Sequence, residues 1–215
     1  MTDARTAILA RLRAAPPRIV PDLPPVRKPW GPADETAKDR FIRLMTAVKG
    51  EIIEIRRADF VDVLKKLLAD KGVGSLLYGP DSEIAVLIAG REAELPQLVA
   101  YDRPVSEFKE RLFNEIDAAI TSTKGATADT GSLIVWPSPA EPRLMSVVPP
   151  LHIAVLEESK IMNSFTDAVS ELGWTENMPA NSVLISGPSK TADIEGILCY
   201  GVHGPKQLAI LLITD

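Results

Sequence analysis

The sequence predicts a layered α/β domain, with a largely parallel central sheet between helices, behind an N-terminal helical and proline-rich extension. Three observations carry that prediction. Short, continuous apolar runs rich in branched residues lie at 151–156, 182–185 and 208–213, as expected of strands covered on both faces. Amphipathic stripes with helical spacing fall between such runs, most clearly at 59–71. Gly and Pro punctuate the joins. The 215 residues fit one such domain with an extension, and a 46% apolar share is ample for a core.

In chain order, residues 1–15 carry Ile8, Leu9 and Leu12 at helical spacing, and Pro16 stops that helix. Residues 16–32 are too proline-dense for helix or central strand. Ile19, Val20, Leu23, Val26 and Trp30 make them read as an anchored, extended arm. Residues 33–49 resume helix, with Phe41, Leu44, Met45 and Val48 on one face and Gly50 as the cap. The extension is therefore taken as 1–49 and the α/β domain as 50–215.

Residues 51–55 alternate as a first strand. Residues 59–71 form a helix with Phe60, Val63, Leu64, Leu67 and Leu68 on one stripe, closed by Gly72. Residues 75–78 are a strand ended by Gly79-Pro80, and periodicity leaves 84–88 open between strand and short helix. Ser106 is placed to cap a helix running to Ala119. Residues 118–123 and 132–136 read as strands joined by a hydroxyl-rich loop, Lys124-Gly125-Ala126-Thr127-Ala128-Asp129-Thr130-Gly131. A helix at 163–172 ends at Gly173.

The last stretch, 182–215, organises the chain. Between its two strands lies Ser186-Gly187-Pro188-Ser189-Lys190-Thr191-Ala192-Asp193-Ile194-Glu195. Gly and Pro end the first strand, and Ser189 or Thr191 can cap a helix starting there, which makes a βαβ-type unit. Ligands in such units sit beyond the carboxyl ends of the strands. Helix-start amides, hydroxyls and Lys190 suit an anion there, with Arg143 and Lys124 as further partners. The segment is not a Walker A loop, because no Gly precedes Lys190.

Composition excludes several classes. A formal charge of −5 and a 5% aromatic share argue against nucleic acid and anionic membrane surfaces. The single cysteine, Cys199, cannot form an internal disulfide or alone hold an iron–sulfur cluster or structural zinc. Its apolar surroundings predict a buried, inert thiol. No run is long enough to span a bilayer and the start is not a secretory signal, so a cytoplasmic protein is expected. His152, in an apolar strand, reads as a hydrogen-bonded core residue. His203, in Gly201-Val202-His203-Gly204-Pro205, is open between a site role and capping of carbonyls. Asp193 and Glu195 point to different sides of the expected helix, so no metal is predicted.

The stretch SGPSKTADIE followed by GVHGPKQL resembles the signature of the lactate-utilisation protein C family. A second piece agrees: Thr127-Ala128-Asp129-Thr130-Gly131-Ser132-Leu133, then Arg143-Leu144-Met145-Ser146 and Pro149-Pro150-Leu151-His152. The chain departs from the family at Asp129, where Glu is common, and at Ser132, where Thr is common. The resemblance implies the fold shared by ribose-5-phosphate isomerase, glucosamine-6-phosphate deaminase (NagB) and CoA transferases. It implies a subunit of L-lactate oxidation acting with iron–sulfur partner subunits. The candidate ligand-binding residues are Asp129, Thr130, Gly131, Ser132, Ser186, Gly187, Ser189, Lys190, Thr191, Asp193, Glu195, His203 and Gly204. They are expected to converge at the carboxyl edge of one sheet. The sequence names neither a cofactor nor a catalytic group, and a homodimer is compatible with it. The alternative is a free-standing enzyme on a phosphosugar, CoA ester or folate-like ligand.

Overall fold

A computed structural model describes residues 3–16, 34–192 and 198–215. The proline-rich arm, together with Asp193 and Glu195, lies outside the described residues. In order the elements are α1 (Ala4–Ala14), α2 (Ala37–Ala47), β1 (Glu51–Ile55), α3 (Phe60–Asp70), β2 (Ser75–Tyr78), α4 (Glu83–Ile88), β3 (Gln97–Ala100), α5 (Val105–Asn114) and β4 (Ala118–Ser122). There follow β5 (Gly125–Thr127), β6 (Ser132–Val135), α6 (Leu144–Val147), β7 (Leu151–Glu157), β8 (Ile161–Met162), α7 (Phe165–Glu171), β9 (Val183–Ile185), β10 (Lys190–Ala192), β11 (Leu198–Tyr200) and β12 (Gln207–Ile213).

The central sheet has six strands in the order β1-β12-β7-β4-β2-β3. Every pairing in it is parallel. Its inner strands show why their sequences are continuously apolar. Leu151, Ile153 and Val155 of β7, with Ala209, Leu211 and Ile213 of β12, pack on α3 and α4. The alternating residues Ala154 and Leu156, with Leu208, Ile210 and Leu212, pack on the opposite side with Phe41 and Met45 of α2. A period of two leaves no face free for polar residues. Phe41 and Met45 are fully buried, so α2 belongs to the core of the sheet. α1, by contrast, buries none of its residues.

A second sheet, β8-β5-β6-β9, joins on the α2 side. The 182–185 run lands here, antiparallel to β6, and not in the central sheet. With one face open, its Leu184 is 47% exposed. The 124–131 loop is shorter than expected, because residues 125–127 form β5 and pair with β6.

The helix expected after Ser189 is a two-stranded antiparallel ribbon, β10 with β11. Gly187 takes φ +138, a conformation other residues avoid. Pro188 then follows, the Ser189 amide donates to the Pro205 carbonyl, and the Gly201 amide donates to the Ser189 carbonyl. These bonds tie Ser189 to the 201–205 loop and leave its hydroxyl no helix to cap. Cys199 lies on this ribbon and is exposed, not buried.

Residues 84–88 resolve as helix α4. The helix expected to reach Ala119 stops at Asn114, and its N-cap is Pro104 and not Ser106. Asp117 explains the stop: its carboxylate accepts from the Gly74 and Ser75 amides, which pulls the chain into β4 beside β2. After α2, Lys49 and not Gly50 takes the left-handed conformation, at φ 69. No helix among the described residues is long and apolar enough to cross a membrane.

Candidate functional site

Ser186, Gly187 and Ser189 line a cavity of about 240 Å³ together with His203 and Gly204. The loops are laced together. The Ser189 amide donates to the Pro205 carbonyl at 2.9 Å. A Cβ on Gly204 would lie 3.1 Å from the Ser189 Cβ, so the two backbones meet closely. His203 stands exposed at the rim.

The position of this cavity corrects the sequence-based expectation. Its floor is made by His152, the second residue of β7, and Leu208, the second residue of β12. It therefore opens at the amino ends of the parallel strands, not at their carboxyl edge. The rule that favours the carboxyl edge assumes that the preceding strand belongs to the parallel sheet. Here that strand is β9, which lies in the other sheet.

His152 is the most informative group in the cavity wall. It is 1% exposed. Its Nε2 lies 2.9 Å from the Thr121 hydroxyl on the neighbouring strand. Its Nδ1 is buried and has no hydrogen-bond partner. Burial lowers the imidazole pKa to about 4, because a charged ring would lose its hydration. The ring is thus neutral at ordinary pH, with one nitrogen occupied and the other unused. Ser146, 3% exposed, also lines the cavity, and its hydroxyl donates to the Arg143 carbonyl. No carboxylate lines the cavity among the described residues.

Ser146 and His152 close the Arg-x-x-Ser and Pro-x-x-His segments, while the 186–189 and 203–205 turns belong to the carboxyl-terminal motif. These are the segments by which the sequence resembles lactate-utilisation proteins. The model of the LUD domain matches residues 38–213. The chain belongs to the LUD domain family. An uncharacterized protein of Neisseria meningitidis serogroup B is 35% identical over 98% of this chain and 94% of its own length. Lactate utilization protein C of an Exiguobacterium species is 26% identical over 86% of this chain and 81% of its own length. The crystal structure of a DUF162 family protein from Deinococcus radiodurans superposes with a TM-score of 0.57 at 18% identity, covering 82% of this chain and 96% of that one. That likeness speaks for the fold.

Among the described residues, the remaining predicted residues of this LUD domain, Asp129 to Ser132, Lys190 and Thr191, are not in the cavity wall. β6 and β9 pair Leu133 with Ile185, so extending the register sets Ser132 next to Ser186 and Gly131 next to Gly187. Both glycines abut the end of α2: a Cβ on Gly131 would lie 2.6 Å from Leu44 Cβ, and one on Gly187 2.8 Å from Val48 Cγ2. Thr130 links Thr127 and Ser132 in a chain of hydroxyls at 2.8 and 2.9 Å. Asp129 turns away, and its Oδ2 accepts from the Phe165 amide at the start of α7. Lys190 and Thr191 lie on β10, outside the lining. Two of the three segments expected to converge therefore share the cavity, and the 129–132 loop is their neighbour. Sequence reading passed over Ser146 and set His152 aside as core. The signal was present in the spacing of the motif that contains both.

Proposed function

We propose that this LUD domain protein serves L-lactate utilization as a cytoplasmic subunit acting with iron–sulfur partner subunits, and that its amino-edge cavity holds a small anion. The observation that carries the role is the alignment with lactate utilization protein C over 86% of the chain. A chain with one cysteine cannot ligate a cluster alone, so electron transfer through clusters falls to partners.

Three features support the anion. Among the described residues, the cavity wall carries hydroxyls and no carboxylate. Gly204, whose missing Cβ leaves room beside Ser189, lets the backbone approach a ligand closely. The unused His152 Nδ1, in its protonated tautomer, would donate to a ligand oxygen without charge.

The test is genetic and then physical. A strain lacking the protein should fail to grow on L-lactate and recover with the wild-type chain. The tagged protein should bring down cluster-bearing subunits from lactate-grown cells. A Gly204→Val variant, which narrows the cavity at Ser189, should fold and yet not restore growth. Normal growth of the deleted strain on L-lactate would refute the role. Turnover of a phosphosugar or CoA ester by the isolated chain would favour the free-standing enzyme.

A further inference from the structure

The carboxyl ends of the parallel strands, left empty by the motif loops, carry a separate cavity of about 250 Å³. Four adjacent strands feed it. Ile213 ends β12, Val155 and Glu157 come from β7, Ser122 and Thr123 from the end of β4, and Arg57 follows β1. Helix α4 roofs it with Ile84 and Leu87. We propose that this cavity binds a small aliphatic monocarboxylate, with its apolar chain against Ile84, Leu87, Val155 and Ile213 and its head group at Arg57 and Lys160.

The charges decide the head group. Glu157 Oε1 is shared by Arg57, at 3.2 Å, and Lys160, at 3.3 Å. Two cations on one oxygen leave one positive charge and several N–H donors uncommitted within the trio. The hydroxyl hydrogens nearby are already used: Ser122 donates to Glu141, and Thr123 donates to the Val155 carbonyl at 2.9 Å. The free donors in the cavity therefore belong to the two cations, and they call for an acceptor. Glu83 also lines the cavity, so a dianion such as phosphate would meet two carboxylates. With Glu83 the four ionisable side chains of the lining sum to zero; a single negative charge balances the Arg57–Glu157–Lys160 trio alone, and a second would be in excess of it. The volume falls below the range of drug-sized sites, about 300–1,000 Å³, so the ligand is small. This site stands independently of the lactate reading and of the amino-edge cavity.

The experiment is ligand-observed NMR and calorimetry on the full chain, with hexanoate, hexanamide and lactate as probes. Hexanoate should bind at least roughly tenfold more tightly than hexanamide, which has the same shape without the charge. Lactate, with almost no apolar chain, should bind more weakly than hexanoate. R57Q combined with K160Q should lose about tenfold in hexanoate affinity. L87W, which fills the cavity from its partly buried roof position, should abolish binding, and circular dichroism should report an unchanged fold. Ser189→Val, in the amino-edge cavity, should leave hexanoate binding intact. Equal binding of hexanoate and hexanamide, undiminished binding to the folded variants, or no binding of hexanoate at millimolar concentration would overturn the proposal.

Discussion

The Thr121 hydroxyl and His152 Nε2 meet at 2.9 Å across neighbouring parallel strands, while the other ring nitrogen of His152 is buried with no partner. The pair fixes the ring plane and leaves one polar atom unpartnered in a residue that lines the cavity. Thr121→Val keeps the shape of the side chain and strands Nε2. We expect it to lower stability by about 1–3 kcal/mol, the range for a buried polar group left unsatisfied. Chemical denaturation of Thr121→Val, His152→Leu and the double variant checks this. In the double variant the Thr121→Val penalty should shrink, since the nitrogen it strands is gone.

The same histidine sets a pH dependence. Its folded pKa, about 4, lies below the ordinary value of 6.5. Between these values the unfolded chain binds a proton that the folded chain refuses. The stabilisation is present in full above pH 6.5 and is lost as pH falls toward 4, with a slope of at most about 1.4 kcal/mol per pH unit. His152→Gln should flatten that segment of the stability curve. Loss of stability below pH 4 then belongs to carboxylates such as Glu35 and Glu94. Arg43 and Arg91 respectively hold their pKa values at about 2, although Arg43, Arg91 and Glu94 face solvent, which screens both pairs.

Much of the fold was legible because double-sided burial leaves a plain trace. The continuous runs of β7 and β12 and the stripe of α3 could hardly be anything else. The ribbon strands 190–192 and 198–200 were not legible, since Ser189 before them is tied to the 201–205 loop by hydrogen bonds that no local pattern encodes. Cys199 misled for the same reason: an apolar neighbourhood in sequence became an exposed ribbon, with Leu198 54% exposed. At the site, the hydroxyl and glycine turns announced themselves by residue type. His152 did not, because an interior strand histidine looks structural until its second nitrogen is seen to lack a partner.

The packing of α2 against β12 and β7 makes a further prediction. Phe41 is fully buried among Leu208, Ile210 and Leu212. Phe41→Ala should lower stability by about 3–5 kcal/mol. A chain beginning at residue 50 should fail to fold cooperatively, because it would expose that face of the sheet. Removing residues 1–16 should leave the denaturation midpoint unchanged, because α1 buries nothing. Urea titrations of the three variants would separate these outcomes.

Gly72 and Gly131 give the sharpest contrast between backbone strain and lack of space. Gly72, at φ +66, has open space where a Cβ would go. Gly72→Ala should therefore cost only the left-handed conformation, about 1–2 kcal/mol. Gly131, at φ +60, has nearly the same backbone, but its Cβ would lie 2.6 Å from Leu44 Cβ. Gly131→Ala must carry the same strain and also displace α2 from the sheet, so its loss should exceed that of Gly72→Ala. Gly187→Ala should resemble Gly131→Ala, because its obstacle, Val48, lies on the same end of α2. If the two loops are seated on that helix end as one unit, the combined variant should lose less than the sum of the singles, since one shift of α2 relieves both clashes. Strict additivity in calorimetric melts would show instead that each loop accommodates its methyl group alone.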